Sequence, residues 1–68
     1  MKTRKYYILA VREDGRWGVQ FGDYDRKVVV DEQLEYWDKG YRRRDTMIVE
    51  TMDGQHAIDV AIALLNKE

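Results

Sequence analysis

Hydrophobic and polar residues alternate in the first third of the chain, and this pattern predicts a β-hairpin. Residues 5–12 are rich in aromatic and branched side chains, and the run WGVQF follows shortly after them. The two runs are separated by Asp14-Gly15, a dipeptide typical of tight two-residue hairpin turns. The alternation predicts that Trp17, Val19 and Phe21 share one face of the second strand. The first strand is apolar on both faces, which predicts a central position in the sheet.

After the segment FGDYD the alternation stops, and apolar residues recur every three or four positions, as in an amphipathic helix. This first helix is expected to run from residue 24 or 25 to residue 38 or 39, with Gly40 as the left-handed residue after its end. Asp23 or Asp25 is expected to cap its N-terminus, because a carboxylate there accepts bonds from free backbone amides. The apolar stripe of the helix consists of Val30, Leu34, Trp37 and Tyr41.

The second half of the chain predicts one more strand and one more helix. The strand is expected over residues 45–52, and Asp53 is expected to cap the helix that follows. One face of the strand carries Met47, Val49 and Thr51, and the other carries Ile48, Glu50 and Met52. The broad apolar face of the helix comprises Ala57, Ile58, Ala61, Ile62, Leu64 and Leu65.

These elements predict a single α+β domain over residues 1–68, in the order β-β-α-β-α. A right-handed crossover between the second and third strands gives an antiparallel three-stranded sheet of order 2-1-3. We expect both helices to pack on one face of this sheet, leaving Tyr6, Ile8, Gln20 and Ile48 on an open face. The expected core comprises Tyr7, Leu9, Val11, Trp17, Val19, Phe21, Leu34, Trp37, Ile58, Ala61, Ile62 and Leu65.

Composition restricts the classes of function that this domain can have. Of the 68 residues, 44% are hydrophobic and 37% are charged, which suits a small folded domain with a charged surface. The formal net charge of −1 creates no strong global attraction to nucleic acid or to anionic membranes. There is no cysteine, and no apolar run approaches the roughly 20 residues that span a bilayer. We therefore expect a cytoplasmic protein that binds no membrane.

Catalytic chemistry finds little support in the sequence. His56 is the only histidine, and the chain has no serine or cysteine that it could activate. Asp23 and Asp25 are spaced like the start of a calcium loop, but the later glycine and glutamate of such a loop are missing. We predict no enzymatic activity, no metal site and no cofactor.

Two surfaces are candidates for interactions. The first is a basic edge, in which Arg12 and Arg16 flank the hairpin at the end of the sheet where the third strand begins. Its remaining arginines are Arg42, Arg43 and Arg44, and Tyr6 and Tyr41 could add stacking surfaces for nucleic acid. The alternative is that these arginines only keep a strand edge from aggregating. The second candidate is apolar: the open sheet face with Tyr6 and Ile8, together with a last helix that is apolar around more than half its circumference.

The segments FGDYDR and AIDVAIALLN make the chain resemble a group of short proteins encoded by bacteriophages and prophages. In that group, a strand ends in an FGDYDR-like turn before a helix, and the chain finishes with an AIDAAVAALN-like helix. The resemblance covers most of the chain and implies an accessory protein that binds and modulates a host factor or a defence complex. We predict stoichiometric binding to an unidentified protein or to a second copy. Nucleic-acid binding through the basic edge is the alternative.

Overall fold

The fold is a three-stranded antiparallel sheet with two helices, seen in a computed structural model that describes residues 4–67. The strand order is β2-β1-β3, so the predicted α+β class, the 2-1-3 order and the central position of the first strand are confirmed. The elements are β1 (Lys5–Glu13), β2 (Arg16–Asp23), α1 (Arg26–Asp38), a short 3-10 turn (Arg43–Asp45), β3 (Thr46–Met52) and α2 (Gln55–Asn66).

The turns form where local sequence favours them. Asp14 and Gly15 both have positive φ, 54° and 80°, the backbone geometry of a type I′ hairpin turn. Helix α1 ends in a Schellman motif, in which Gly40 (φ 106°) donates to the Trp37 carbonyl and Tyr41 donates to the Tyr36 carbonyl. The predicted hairpin and the predicted end of α1 are therefore confirmed.

A β-bulge in β2 overturns the predicted alternation of that strand. Leu9 lies opposite Phe21 and Ala10 lies opposite Val19, so Gln20 is an extra residue without a partner in β1. An extra residue moves every following side chain to the other face. Phe21 therefore shares a face with Leu9, whereas Trp17 and Val19 lie on the opposite face. The expectation of one common face for these three residues is wrong.

The two helices lie on opposite faces of the sheet. Val29 of α1 packs against Leu9 and Val11. Helix α2 covers the other face, where the Thr51 hydroxyl meets the Ala57 carbonyl at 3.5 Å. The expectation of both helices on one face is wrong, because β1 is apolar on both sides and each side requires a cover.

Burial shows where the core lies. Four consecutive residues of β1, Ile8 to Val11, are at most 1% exposed. Ile8 was expected on an open face but lies fully buried, because α2 covers that face. Leu34 was expected in the core but is 47% exposed, since α1 turns Val29 toward the sheet instead. Val19, also expected in the core, is 41% exposed at the outer strand β2.

Candidate interaction surfaces

Arg12, a member of the predicted basic edge, is held by its neighbours. Its Nε and Nη2 atoms donate to Oδ1 of Asp45 at 3.0 and 2.9 Å, and Nη2 also reaches the Arg44 carbonyl at 3.3 Å. Its guanidinium also lies over the Trp17 ring, 5.1 Å from the centroid. These contacts join β1 to the turn before β3. The charge of Arg12 is therefore balanced locally rather than presented to a ligand.

The other arginines of the edge are exposed. Within residues 4–67, Arg16, Arg42, Arg43 and Arg44 form no ion pair. Arg43 stacks over the Trp37 ring at 4.7 Å from its centroid, which leaves its charge facing solvent. The structure thus brings the predicted arginines to one end of the sheet, with four of the five carrying unbalanced charge.

Tyr41 and Tyr6, the two proposed stacking residues, are engaged in different places. The Tyr41 hydroxyl donates to Oε2 of Glu13 at 2.7 Å, and this bond raises the pKa of Tyr41. Tyr6 lies at the opposite end of β1 and packs edge-on against Tyr24, with ring centroids 4.8 Å apart. Tyr6 therefore does not extend the basic edge.

The GDYD turn is structural. Oδ1 of Asp25 accepts from the Lys27 amide at 2.9 Å, which makes Asp25 the N-cap of α1. Oδ1 of Asp23 accepts from the Asp25 amide at 2.7 Å and shapes the turn before the helix. Each of the two carboxylates thus bonds to backbone N–H, the environment of a cap.

Tyr24 joins this turn to the start of α2. Its hydroxyl donates to Oδ2 of Asp53 at 2.8 Å, and the Arg4 amide donates to Oδ1 of Asp53 at 3.1 Å. The bond from Tyr24 lowers the pKa of Asp53 and raises that of Tyr24. The prediction that Asp53 caps α2 is wrong, because both of its carboxylate oxygens accept the bonds from Tyr24 and Arg4. The N-cap residue is Gly54, which has no side chain to accept a bond.

An apolar groove lies between α2 and β3 and is called here the α2–β3 groove. It has a volume of about 560 Å³. Val60 and Leu64 project along its helical side and are 44% and 64% exposed. Met47, 39% exposed, continues the apolar surface along the same face of β3. The groove is lined by Val49, Glu50, Thr51, His56, Ala57, Val60, Ala61, Leu64 and Leu65.

The other flank of α2 forms a second groove with β2, of about 620 Å³ and lined in part by Val19, Ile58 and Ile62. A polar contact bridges the end of this groove. The Trp17 amide donates to Oδ1 of Asn66 at 2.7 Å, and Nδ2 of Asn66 donates to the Trp17 carbonyl at 3.0 Å. The Asn66 amide thus bonds to β2 as a neighbouring strand would. This contact attaches the end of α2 to the outer edge of β2.

The groove contains no recognisable catalytic set. His56 lines it, whereas Asp23 and Asp25 do not. Across residues 4–67, no group of three or more histidine, cysteine or acidic side chains is arranged to hold a metal ion. The helices in that part of the chain are too short or too polar to cross a membrane.

Comparison with known proteins gives no match: no protein-family model, no curated protein and no solved structure matches the chain. The sequence pattern indicates the apolar excess of α2, but the predicted apolar face of this helix does not include Val60. The signal was present, since Val60 falls between Ala57 and Leu64 at helical spacing.

Proposed function

We propose that the protein is a non-enzymatic binding module that forms stoichiometric protein complexes through the α2–β3 groove. The observation that carries this proposal is the exposure of Val60 and Leu64 beside an apolar strand. Contiguous exposed apolar surface is characteristic of protein interfaces. Burying it on a partner is favourable by roughly 25 cal/mol per Å².

The composition of the groove favours a protein partner over a small polar ligand. Its walls are mostly aliphatic, and the polar side chains Glu50 and His56 lie at exposed positions. An apolar centre with a polar rim is the usual anatomy of a protein interface. A role as a phage-type accessory protein in the bacterial cytoplasm, binding a host factor, would use such a surface without any catalytic group.

The proposal is tested by capture with matched leucine variants. Tagged protein is expressed in bacteria with an untagged copy of itself, so that complexes with host proteins and with itself are both recovered. Leu64→Glu places a charge in the groove, while Leu34→Glu places one on exposed α1. We expect the wild type and Leu34→Glu to retain a protein in fixed ratio, with nuclease and at high salt, and Leu64→Glu to lose it.

Circular dichroism provides the folding control for these variants, since both leucines are substantially exposed and neither change should unfold the domain. Capture that survives Leu64→Glu, or that is lost equally with Leu34→Glu, would contradict a role for the groove.

Nucleic-acid binding through the basic edge is the second candidate, favoured by the unbalanced charges of Arg16 and Arg42 to Arg44. Phosphate contacts release counterions, so the affinity would fall steeply as salt rises. Replacing Arg42, Arg43 and Arg44 by alanine should then abolish binding to a single-stranded oligonucleotide. Unchanged binding after this replacement would exclude the basic edge.

A further inference from the structure

We infer that a second copy of this chain occupies the α2–β3 groove, with the two β3 strands paired antiparallel in a continuous six-stranded sheet. The inference rests on the proposed function, because it names the occupant of the same groove. It follows from a difference between the two edges of the sheet and from the direction of the free backbone groups of β3.

The edge formed by β2 is protected against pairing with another strand. The bulge at Gln20 interrupts its regular hydrogen-bond pattern, and the Asn66 side chain occupies the backbone N–H and C=O of Trp17. Bulges and covering groups are the devices by which proteins block a sheet edge. A new strand would therefore have to displace Asn66 to pair with β2.

The edge formed by β3 lacks these devices. Its register with β1 is continuous over seven residues, from Thr46 to Met52. The chain contains no proline, and Glu50 is the only charged residue within the strand. A regular, largely apolar edge is a template for another strand. Within residues 4–67, no strand pairs with this side of β3.

The alternation of the backbone allows a self-complementary register centred on Val49, the middle residue of β3. The Asp53 amide donates to the Arg4 carbonyl at 2.8 Å, so residue 53 bonds toward β1. Odd residues of β3 then bond inward, and even residues present their N–H and C=O groups at the free edge. A two-fold axis at Val49 pairs Ile48 with Glu50 of the other copy. The outward residues that find partners in this register are Thr46, Ile48, Glu50 and Met52.

This arrangement also covers the apolar side chains. A two-fold axis perpendicular to the sheet keeps both α2 helices on the same face. Val49 then lies opposite its own equivalent, and Val60 and Leu64 of the two helices converge above this pair. The exposed residues of the groove thus become the centre of an isologous interface.

Cysteine cross-linking tests the register directly, since the chain has no cysteine of its own. Opposed residues in a non-hydrogen-bonded antiparallel pair have their Cα atoms about 4.5 Å apart, within the range for a disulfide. Val49→Cys should form a dimer under mild oxidation, at twice the chain mass of 8.2 kDa. Val19→Cys on β2 is the control and should remain monomeric.

Light scattering over a range of concentrations tests the groove. Val60→Glu and Val19→Glu change valines of similar exposure, 44% and 41%. Val60 lies on the side of α2 that faces β3, whereas Val19 lies on β2, beside the opposite flank of the helix. We expect the wild type and Val19→Glu to dimerise and Val60→Glu to dissociate with a Kd at least about 100-fold weaker, because a charge would be buried at the interface.

A wild type that stays monomeric at every concentration would overturn the inference, as would equal cross-linking at both cysteine positions. If capture of a host protein still depended on Leu64, the proposed function would stand and only the second copy would be wrong. If no complex of any kind depended on Leu64, both would fail.

Discussion

The two helices are attached to the same sheet in different ways. Helix α1 buries Val29 completely and donates two side-chain hydrogen bonds, from Trp37 at 2.8 Å and Gln33 at 3.1 Å, to the hydroxyl of buried Thr46. Helix α2 contains no fully buried residue. Apart from apolar contacts, its main attachment is the Asn66 amide on β2.

This difference shows that an apolar helix does not necessarily build the core. Eight of the twelve residues of α2 are alanine, valine, isoleucine or leucine, whereas α1 mixes valines with many charged residues. Yet α1 is the helix that seals the central strand. The apolar excess of α2 remains at the surface beside β3, and for that reason we assign stability mainly to the α1 side and binding to the α2 side.

The largest expected effect is on the α1 side. Leu9→Ala should lower the free energy of unfolding by about 2 to 5 kcal/mol, because it leaves a cavity against Val29. Ile62→Ala, on half-buried α2, should lower it by only about 1 to 2 kcal/mol. Denaturant unfolding at low protein concentration measures both. Equal losses would show that α2 contributes to the core as much as α1 and would remove the distinction.

The two turns and the N-cap of α1 were predictable from the sequence because short-range chemistry decides them, whereas the predicted cap of α2 at Asp53 was wrong. Asp14-Gly15 accepts positive φ at both turn positions, and Gly40 does so after α1. One feature of the sheet was not predictable in this way. The bulge at Gln20 leaves no mark in the alternation of WGVQF, and it places Trp17 on the face opposite Phe21.

The faces of the helices also depend on the whole fold. The apolar residues on both faces of β1 indicated a central strand. They equally required a helix on each side of the sheet, and for that reason Ile8 is buried under α2 instead of lying on an open face. The arginines of the basic edge were correctly placed at one end of the sheet. Their local charge balance was not predictable, because the bond between Arg12 and Asp45 joins residues 33 positions apart.

A smaller effect is expected from the polar attachment of α2. Asn66→Ala removes the hydrogen-bond partners of the Trp17 amide and the Trp17 carbonyl. It should lower the free energy of unfolding by about 1 to 3 kcal/mol. It should also raise hydrogen exchange at the Trp17 amide, which no longer has an acceptor. Ala63→Ser, an exposed change one turn earlier, is the control.

An unchanged exchange rate at Trp17 in Asn66→Ala would mean that the amide is protected by something other than α2. The distinction between a clamped β2 edge and an open β3 edge would then lose its main support.

The smallest effect separates the two helix starts. Asp25→Ala should cost about 1 kcal/mol, because the Lys27 amide loses its acceptor at the N-terminus of α1. Asp25→Asn keeps the acceptor and removes the charge, so it should retain most of the stability. Chemical denaturation measures the loss, and hydrogen exchange at Lys27 locates it. If both changes cost equally, the charge at the helix N-terminus is what matters. Helix α2 begins at Gly54 without a side-chain cap, so its start depends on packing against the sheet alone.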